Sequence, residues 1–244
     1  MALIRGCSVC VVGIGGVGSW AAEALARTGI GKLTLIDFDT ISVSNINRQV
    51  HALDQTVDKK KFEVMKARCL QIHPTLDCVT VDDYLRMENL QEWLGPEQAY
   101  DYVIDAIDSI SVKAAMIHQC KRNKIPIITT GGAGGLTDPT TISVKDLSRT
   151  WNDPLAAKVR SRLREQHGFS RNPKRYFGVE CVFSTQQPVY PTAEGGVSQR
   201  KPGIHGVHLD CRLGYGSASF VTASFGMIAA ARVINRLIHR KLST

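Results

Sequence analysis

The residues best suited to chemistry lie in the first half of the chain, and they are of the types that bind phosphate. Gly13-Ile-Gly15-Gly16-Val-Gly18 fits a G-x-G-x-x-G loop. Between a strand and a helix, such a loop presents backbone N–H groups and a helix N-terminus to a phosphate, and glycine lets the chain come close to it. Asp37 stands 19 residues past Gly18, where an acid takes ribose hydroxyls. These features alone suit a dinucleotide. The next residues argue for a triphosphate: Asp39, Asn45, Arg48 and Gln49 follow closely, Lys61 heads the next helical segment, and Asp108 ends the run Tyr-Val-Ile-Asp-Ala-Ile-Asp. Two cations stabilise charge on phosphates, and an aspartate at a strand's C-terminal end can hold Mg²⁺. A nicotinamide enzyme has no use for that set. Simpler roles exist for some members: Gly18 suits close helix–strand packing, and Asp39 or Asn45 can cap a turn.

The elements that must position these residues follow from periodicity and turn residues. Ser8 to Val12 is a β-branched run suited to a buried parallel strand. Val17 to Thr28 is an Ala-rich helix stopped by Gly29 and Gly31, and Leu33 to Ile36 is the next strand, completing a βαβ unit. Helices are expected over Lys59 to Ile72, Glu88 to Leu94 and Val112 to Arg122. Strands are expected over Cys78 to Val81, Tyr102 to Ala106 and Ile125 to Thr129, the last running into Gly131, Gly132, Gly134 and Gly135. The alternation implies an α/β fold of the Rossmann-like, doubly wound, mainly parallel kind with a loop-rich C-terminal extension. In that extension Thr141 to Val144 reads as a strand and Pro154 to Gln166 as a basic helix. Asn172 to Gly206, with four of the nine prolines, reads as a loop-rich region. Leu213 to Ile234 is apolar enough to suggest a membrane span, but it holds Arg232 and many small residues, so it reads as a core helix with no membrane insertion.

At 244 residues, with 43% apolar and 21% charged residues, the chain suits a globular α/β domain, and its net charge of +8 predicts an anionic partner. Part of that charge is local: Lys158, Arg160, Arg162, Arg164, Arg171, Lys174 and Arg175 face one acid, Glu165. Seven cysteines without paired spacing, and an N-terminus lacking a signal layout, point to reduced thiols in a cytoplasmic protein. The single CxxC, Cys7 to Cys10, would put its thiols on opposite faces of a strand, so no structural zinc is expected.

The succession GxGGxG, LxLIDFDxIxxSNxxRQ, a lysine and DAxD resembles the adenylating superfamily of ubiquitin-activating enzymes and their bacterial relatives over about residues 8 to 135. The resemblance implies ATP and Mg²⁺ as cofactors. Gly13, Gly15, Gly16 and Gly18 would form the phosphate loop and Asp37 would hold the ribose, with Asp39 beside it. Asn45, Arg48 and Lys61 would meet the triphosphate, and Asp108 would hold Mg²⁺; Arg48, Lys61 and Asp108 would carry catalysis. Asp58 stands where that superfamily often has glycine, and Lys59-Lys60-Lys61 offers three candidate lysines. Residues 1–140 would be the ATP-binding adenylating unit. Residues 141–244 would complete the same fold with a basic helix, substrate loops and a final core helix.

The stretches RNKIPIITTGGAGG, DPLAAKVR, ECVFSTQQPVYP and DCRLGYGSASFVTASFG extend the likeness to nearly the whole chain, and there it is similar to the tRNA threonylcarbamoyladenosine dehydratases. The implied reaction is ATP-dependent dehydration, by cyclisation, of N6-threonylcarbamoyladenosine in tRNA through an acyl-adenylate. The implied partners are tRNA, a second copy in a homodimer, and a cysteine desulfurase system. On this reading Arg160, Arg162, Arg164, Arg171, Lys174 and Arg175 are tRNA contacts, although arginines at every second helical position fan out around the helix. Cys181 and Cys211 flank the loop-rich region; packing as small hydrophobes and a thiol role are both open for them. The alternatives are an adenylyltransferase for the C-terminus of a ubiquitin-like sulfur carrier, a non-catalytic sulfur-transfer scaffold and, last, a nicotinamide oxidoreductase.

Overall fold

The computed structural model describes residues 2–192, 196–199 and 216–243. Its centre is β1 (Ser8–Val12), a run with no polar residue after Ser8 and therefore able to be covered on both faces. The chain then passes through α1 (Gly18–Thr28) to β2 (Lys32–Ile36), with Gly29 at φ +81° closing the helix in the left-handed conformation. It continues through α2 (Lys61–Ile72), β3 (Asp77–Val81), α3 (Leu90–Leu94), β4 (Tyr102–Asp105), α4 (Ile110–Arg122) and β5 (Ile127–Thr130). The second half supplies β6 (Ile142–Asp146), α5 (Pro154–Gln166), β7 (Glu180–Ser184), the two-residue strands β8 (Tyr190–Pro191) and β9 (Val197–Ser198), and α6 (Ser219–Leu242).

Seven strands form one sheet in the order β3-β2-β1-β4-β5-β7-β6, parallel except for β6, which runs against β7. Two apolar layers cover it, and β1 shows why both are needed. Val9 and Val11 join the layer built with Leu25 of α1, Met65 of α2 and Phe225 of α6. Cys10 and Val12 join the layer built with Leu94 of α3, Ile117 of α4 and Val159 of α5. Cys7 lies in the first layer and Cys10 in the second.

Two expectations are corrected and one is refined. Within the loop-rich segment 172–206, β7, with Cys181 to Ser184 buried, is an interior strand between β5 and β6. The last helix begins at Ser219 rather than Leu213 and runs on to Leu242. The helix expected from Lys59 begins at Lys61, because Lys60 is extended. By length and composition α6 could cross a membrane. Nine of its residues, from Val221 to Leu237, are buried against the rest of the fold. Gly226 allows this: a Cβ there would lie 2.4 Å from the Val17 carbonyl oxygen, so the backbone of α6 rests directly on the start of α1.

Candidate active site

The strand order reverses between β1 and β4, and crevices in open parallel sheets form at that point, beyond the C-terminal ends of the strands. A cavity of about 850 Å³ lies there. Gly13, Gly15, Gly16, Asp37, Asp39, Asn45, Arg48, Lys61 and Asp108 all line it. They converge because β1, β2 and β4 are adjacent and parallel, so the loops after them emerge on one edge. Gly13 has φ +85°, and a Cβ on it would meet Ile107 at 2.9 Å. Gly18 does not line the cavity. A Cβ there would sit 1.8 Å from the Gly13 carbonyl oxygen, so its place is the close packing of helix on loop.

Asp37 ties β2 to the glycine loop. Its Oδ2 accepts the Ile14 N–H at 2.6 Å and its Oδ1 accepts the Asp39 N–H at 2.9 Å. Burial pushes its carboxyl above the ordinary range against the pull of nearby Lys61. Beside it Phe38 and Tyr84 meet edge to face at 4.8 Å, an apolar rim to the cavity.

Lys61 is buried and its Nζ lies 2.6 Å from Asp39 Oδ2. Of the three consecutive lysines it is the one that lines the cavity, whereas Lys60 is drawn outward to Asp82 at 2.9 Å. The turn before them explains why a glycine would suit position 58: Asp58 has φ +67°. Asn45 is buried, and its Oδ1 accepts the Ser42 N–H at 3.1 Å, so it closes a turn while lining the cavity. Arg48 Nη1 donates to the Ser44 carbonyl at 2.6 Å and to Asn47 Oδ1 at 3.1 Å. The Arg48 backbone is held by Trp20 Nε1 at 3.0 Å and by the Thr222 hydroxyl of α6 at 3.2 Å. Gln49 is 6% exposed, and its Oε1 has no partner among the described residues.

The opposite wall rests on buried charge. Asp108 is exposed at the end of the β4 loop. Beneath it Lys113 Nζ donates to Asp105 Oδ1 at 2.8 Å and to the Ile107 carbonyl at 2.9 Å, while Thr129 donates its hydroxyl to Asp105 Oδ2 at 2.6 Å. Burial raises the Asp105 carboxyl, and the Lys113 charge opposes that rise. Asp153 links this wall to α5: its Oδ1 accepts the Ala156 N–H at 2.8 Å as helix cap, and its Oδ2 accepts the Gly132 N–H at 3.0 Å. Gly131 to Gly134 and Pro154, Leu155 and Lys158 therefore form the far side of the same cavity. Gln49 and Asp105 stand inside the motifs read from the sequence but were given no role there, and Lys113, Asp153 and Thr222 were not singled out at all. Only Asp153 carried a usable signal, an aspartate followed by proline at a helix start.

The whole chain, residues 1–244, matches the ThiF family. It is a ThiF-family protein. It is 50% identical over 241 residues to a tRNA threonylcarbamoyladenosine dehydratase of Haemophilus influenzae, covering 99% of this chain and 89% of the relative. To the Escherichia coli protein of the same name it is 52% identical over 231 residues, covering 94% and 85%. The solved structure of that E. coli dehydratase in complex with ATP superimposes with a TM-score of 0.88 at 47% identity, covering 100% of this chain and 90% of that one.

Within this ThiF-family chain the basic segment divides in two. Arg160 turns inward to the Thr150 hydroxyl, and Arg164 lies over the Phe177 ring at 5.4 Å; both are half-buried. They do not belong to an open cationic face. Arg171, Lys174 and Arg175 are exposed, and Arg162 is half-buried. Cys181 is fully buried in β7 and does not line the cavity, and burial pushes its thiol well above the ordinary range. Cys211 lies outside the described residues.

Proposed function

We propose that this chain is an ATP-dependent tRNA threonylcarbamoyladenosine dehydratase that works through an acyl-adenylate. One observation carries the reading: Arg48, Lys61 and Asp108 line the glycine-loop cavity, and that cavity continues to a second glycine loop with room for an acyl substrate. The relatives that share nearly the full length bear that enzyme name.

The phosphates of ATP lie along Gly13, Gly15 and Gly16, the ribose hydroxyls at Asp37, and the base against the Phe38–Tyr84 rim. Arg48 and Lys61 stabilise the charge that grows on the phosphates as the threonyl carboxylate attacks the α-phosphorus and pyrophosphate leaves. The tethered carbamoyl group then attacks the acyl carbon, closing the ring with loss of a proton and release of AMP. Because nucleophile and acyl carbon share one molecule, proximity supplies what an enzyme nucleophile otherwise would. Among the described residues there is no cluster of three or more His, Cys, Asp or Glu able to hold a metal. One carboxylate, Asp108, fits Mg²⁺ held chiefly by phosphate oxygens. When bound, the ion neutralises phosphate charge.

Nucleoside mass spectrometry of tRNA incubated with the protein and ATP–Mg²⁺ tests the reading. The expected result is loss of one water from threonylcarbamoyladenosine, dependent on ATP and abolished by Arg48→Ala. ATP binding with no change in nucleoside mass would defeat it. A homodimer, a cytoplasmic location and a sulfur-transfer partner are further parts of the proposal; light scattering on the purified protein checks the first.

A further inference from the structure

The two walls of the cavity differ in how their cations are used. On the glycine-loop side Lys61 is committed to Asp39, and beneath the β4 loop Lys113 is committed to Asp105. On the α5 side stands Lys158, exposed, lining the cavity, and with no hydrogen-bond or ion-pair partner among the described residues. Of the seven cations between 158 and 175 it alone reaches the cavity. The nearest acid along its own helix start is Asp153, whose two oxygens are occupied by the Ala156 and Gly132 N–H groups. Arg162 lies four residues further on, hence on the same helix face, and its one described hydrogen bond is to Gln166 of its own helix at 3.2 Å. Arg160 and Arg164 are turned away, so the outward face of α5 is a row leading from the cavity mouth onto the open surface.

We infer that Lys158 is a substrate-binding residue at which the RNA backbone crosses from the surface into the cavity, holding a phosphate beside the modified nucleotide while Arg162 holds the next along the helix. The inference rests on the dehydratase reading and adds to it the point of entry. ATP does not account for Lys158, because the triphosphate is provided for on the opposite wall by Arg48, Lys61 and the glycine loop. An exposed cation facing a polyanionic substrate, with no ion-pair partner among the described residues, is suited to a phosphate contact.

Steady-state dehydration and fluorescence-anisotropy binding of the same tRNA over a salt series test this, with wild type, Lys158→Gln, Lys158→Arg and Lys66→Gln compared. Lys66 lies on α2, across the sheet, and serves as the charge-matched control. Lys158→Gln is expected to raise KM for tRNA about tenfold, the scale of one charge-assisted hydrogen bond. It should leave kcat and ATP affinity near wild type and flatten the slope of log K against log salt by about one. Lys158→Arg should restore most of the loss. A KM and salt slope equal to those of Lys66→Gln would overturn the inference, as would weaker ATP binding with unchanged tRNA binding. Wild-type protein that fails to dehydrate tRNA would instead defeat the dehydratase reading itself.

Discussion

Lys113 and Asp105 form a 2.8 Å ion pair between side chains that are 1% and 0% exposed. The pair ties the end of β4 to α4, and through Thr129 to β5, directly under the loop that carries Asp108. Removing one partner leaves the other charge buried, which costs about 3–5 kcal/mol. Lys113→Met should therefore lower stability by that amount in urea denaturation. Lys113→Met combined with Asp105→Asn should recover part of it, because no unpaired charge remains.

On the opposite wall, the 2.6 Å contact of Lys61 with Asp39 fixes the lysine where it can meet phosphate. Arg48→Ala and Lys61→Met are each expected to reduce ATP-dependent pyrophosphate release about 10²–10³-fold, the range for a preorganised donor to developing charge. Asp39→Asn keeps the lysine's charge but loosens its anchor and should cost less, roughly tenfold. Equal losses in all three would mean that Asp39 itself contacts the nucleotide.

How much of this was legible in the sequence depended on how local the information was. The β1-α1-β2 unit and the nucleotide wall lie in one stretch, from Ser8 to Lys61, whose spacing carries the chemistry. The second wall does not. Lys113 looks like a solvated residue of a helix until β4 and β5 are placed beside it. Thr222 reaches the Arg48 carbonyl across 174 positions of sequence. Glu180–Ser184 lies between Gly178 and Pro188 in a stretch rich in prolines and with no flanking helix, so it does not stand out as an interior strand. The onset of α6 was misplaced because the apolar run at Leu213 begins before the helix does. Arg160 and Arg164 looked like surface cations because charge says nothing about which way a half-buried arginine points.

His51 gives the fold a pH dependence. It is 1% exposed, and neither ring nitrogen has a partner among the described residues. Burial first, then the positive charges of Lys61 and Arg68, lower its pKa from 6.5 to about 4. Below pH 6.5 the unfolded chain takes up a proton that the folded chain refuses, so stability is full above that pH and falls as the pH drops towards 4. The loss approaches about 3 kcal/mol over that range. Urea midpoints measured at pH 7 and pH 5 should differ for wild type, and His51→Leu should shrink the difference. An unchanged difference would place the titrating group elsewhere.

Cys181 is expected to be dispensable for chemistry. It sits in the interior of the sheet, opposite Thr129 on β5, with its thiol driven towards the protonated form by burial. Cys181→Ala should leave kcat within about twofold of wild type and cost about 1 kcal/mol of stability through the lost sulfur contact. A large fall in kcat at normal stability would show that the sulfur reaches substrate after all.

The contact of α6 with α1 should matter for the nucleotide as well as for the fold. A Cβ on Gly226 would approach the Val17 carbonyl oxygen to 2.4 Å and the Ala21 nitrogen to 2.9 Å, and backbone atoms cannot step aside as a side chain can. Gly226→Ala should push α6 away from α1 and cost about 1–3 kcal/mol, the usual range for overpacking. Thr222, one turn earlier on α6, holds the Arg48 carbonyl, so the displacement should also weaken ATP binding, roughly threefold or more on loss of about one hydrogen bond. Gly6→Ala, where a Cβ would meet nothing within 4 Å, is the matched control. Calorimetric ATP titration beside thermal melting of the two variants separates the effects. A Gly226→Ala protein that melts early but binds ATP like the control would show that α6 supports the fold without setting the position of Arg48.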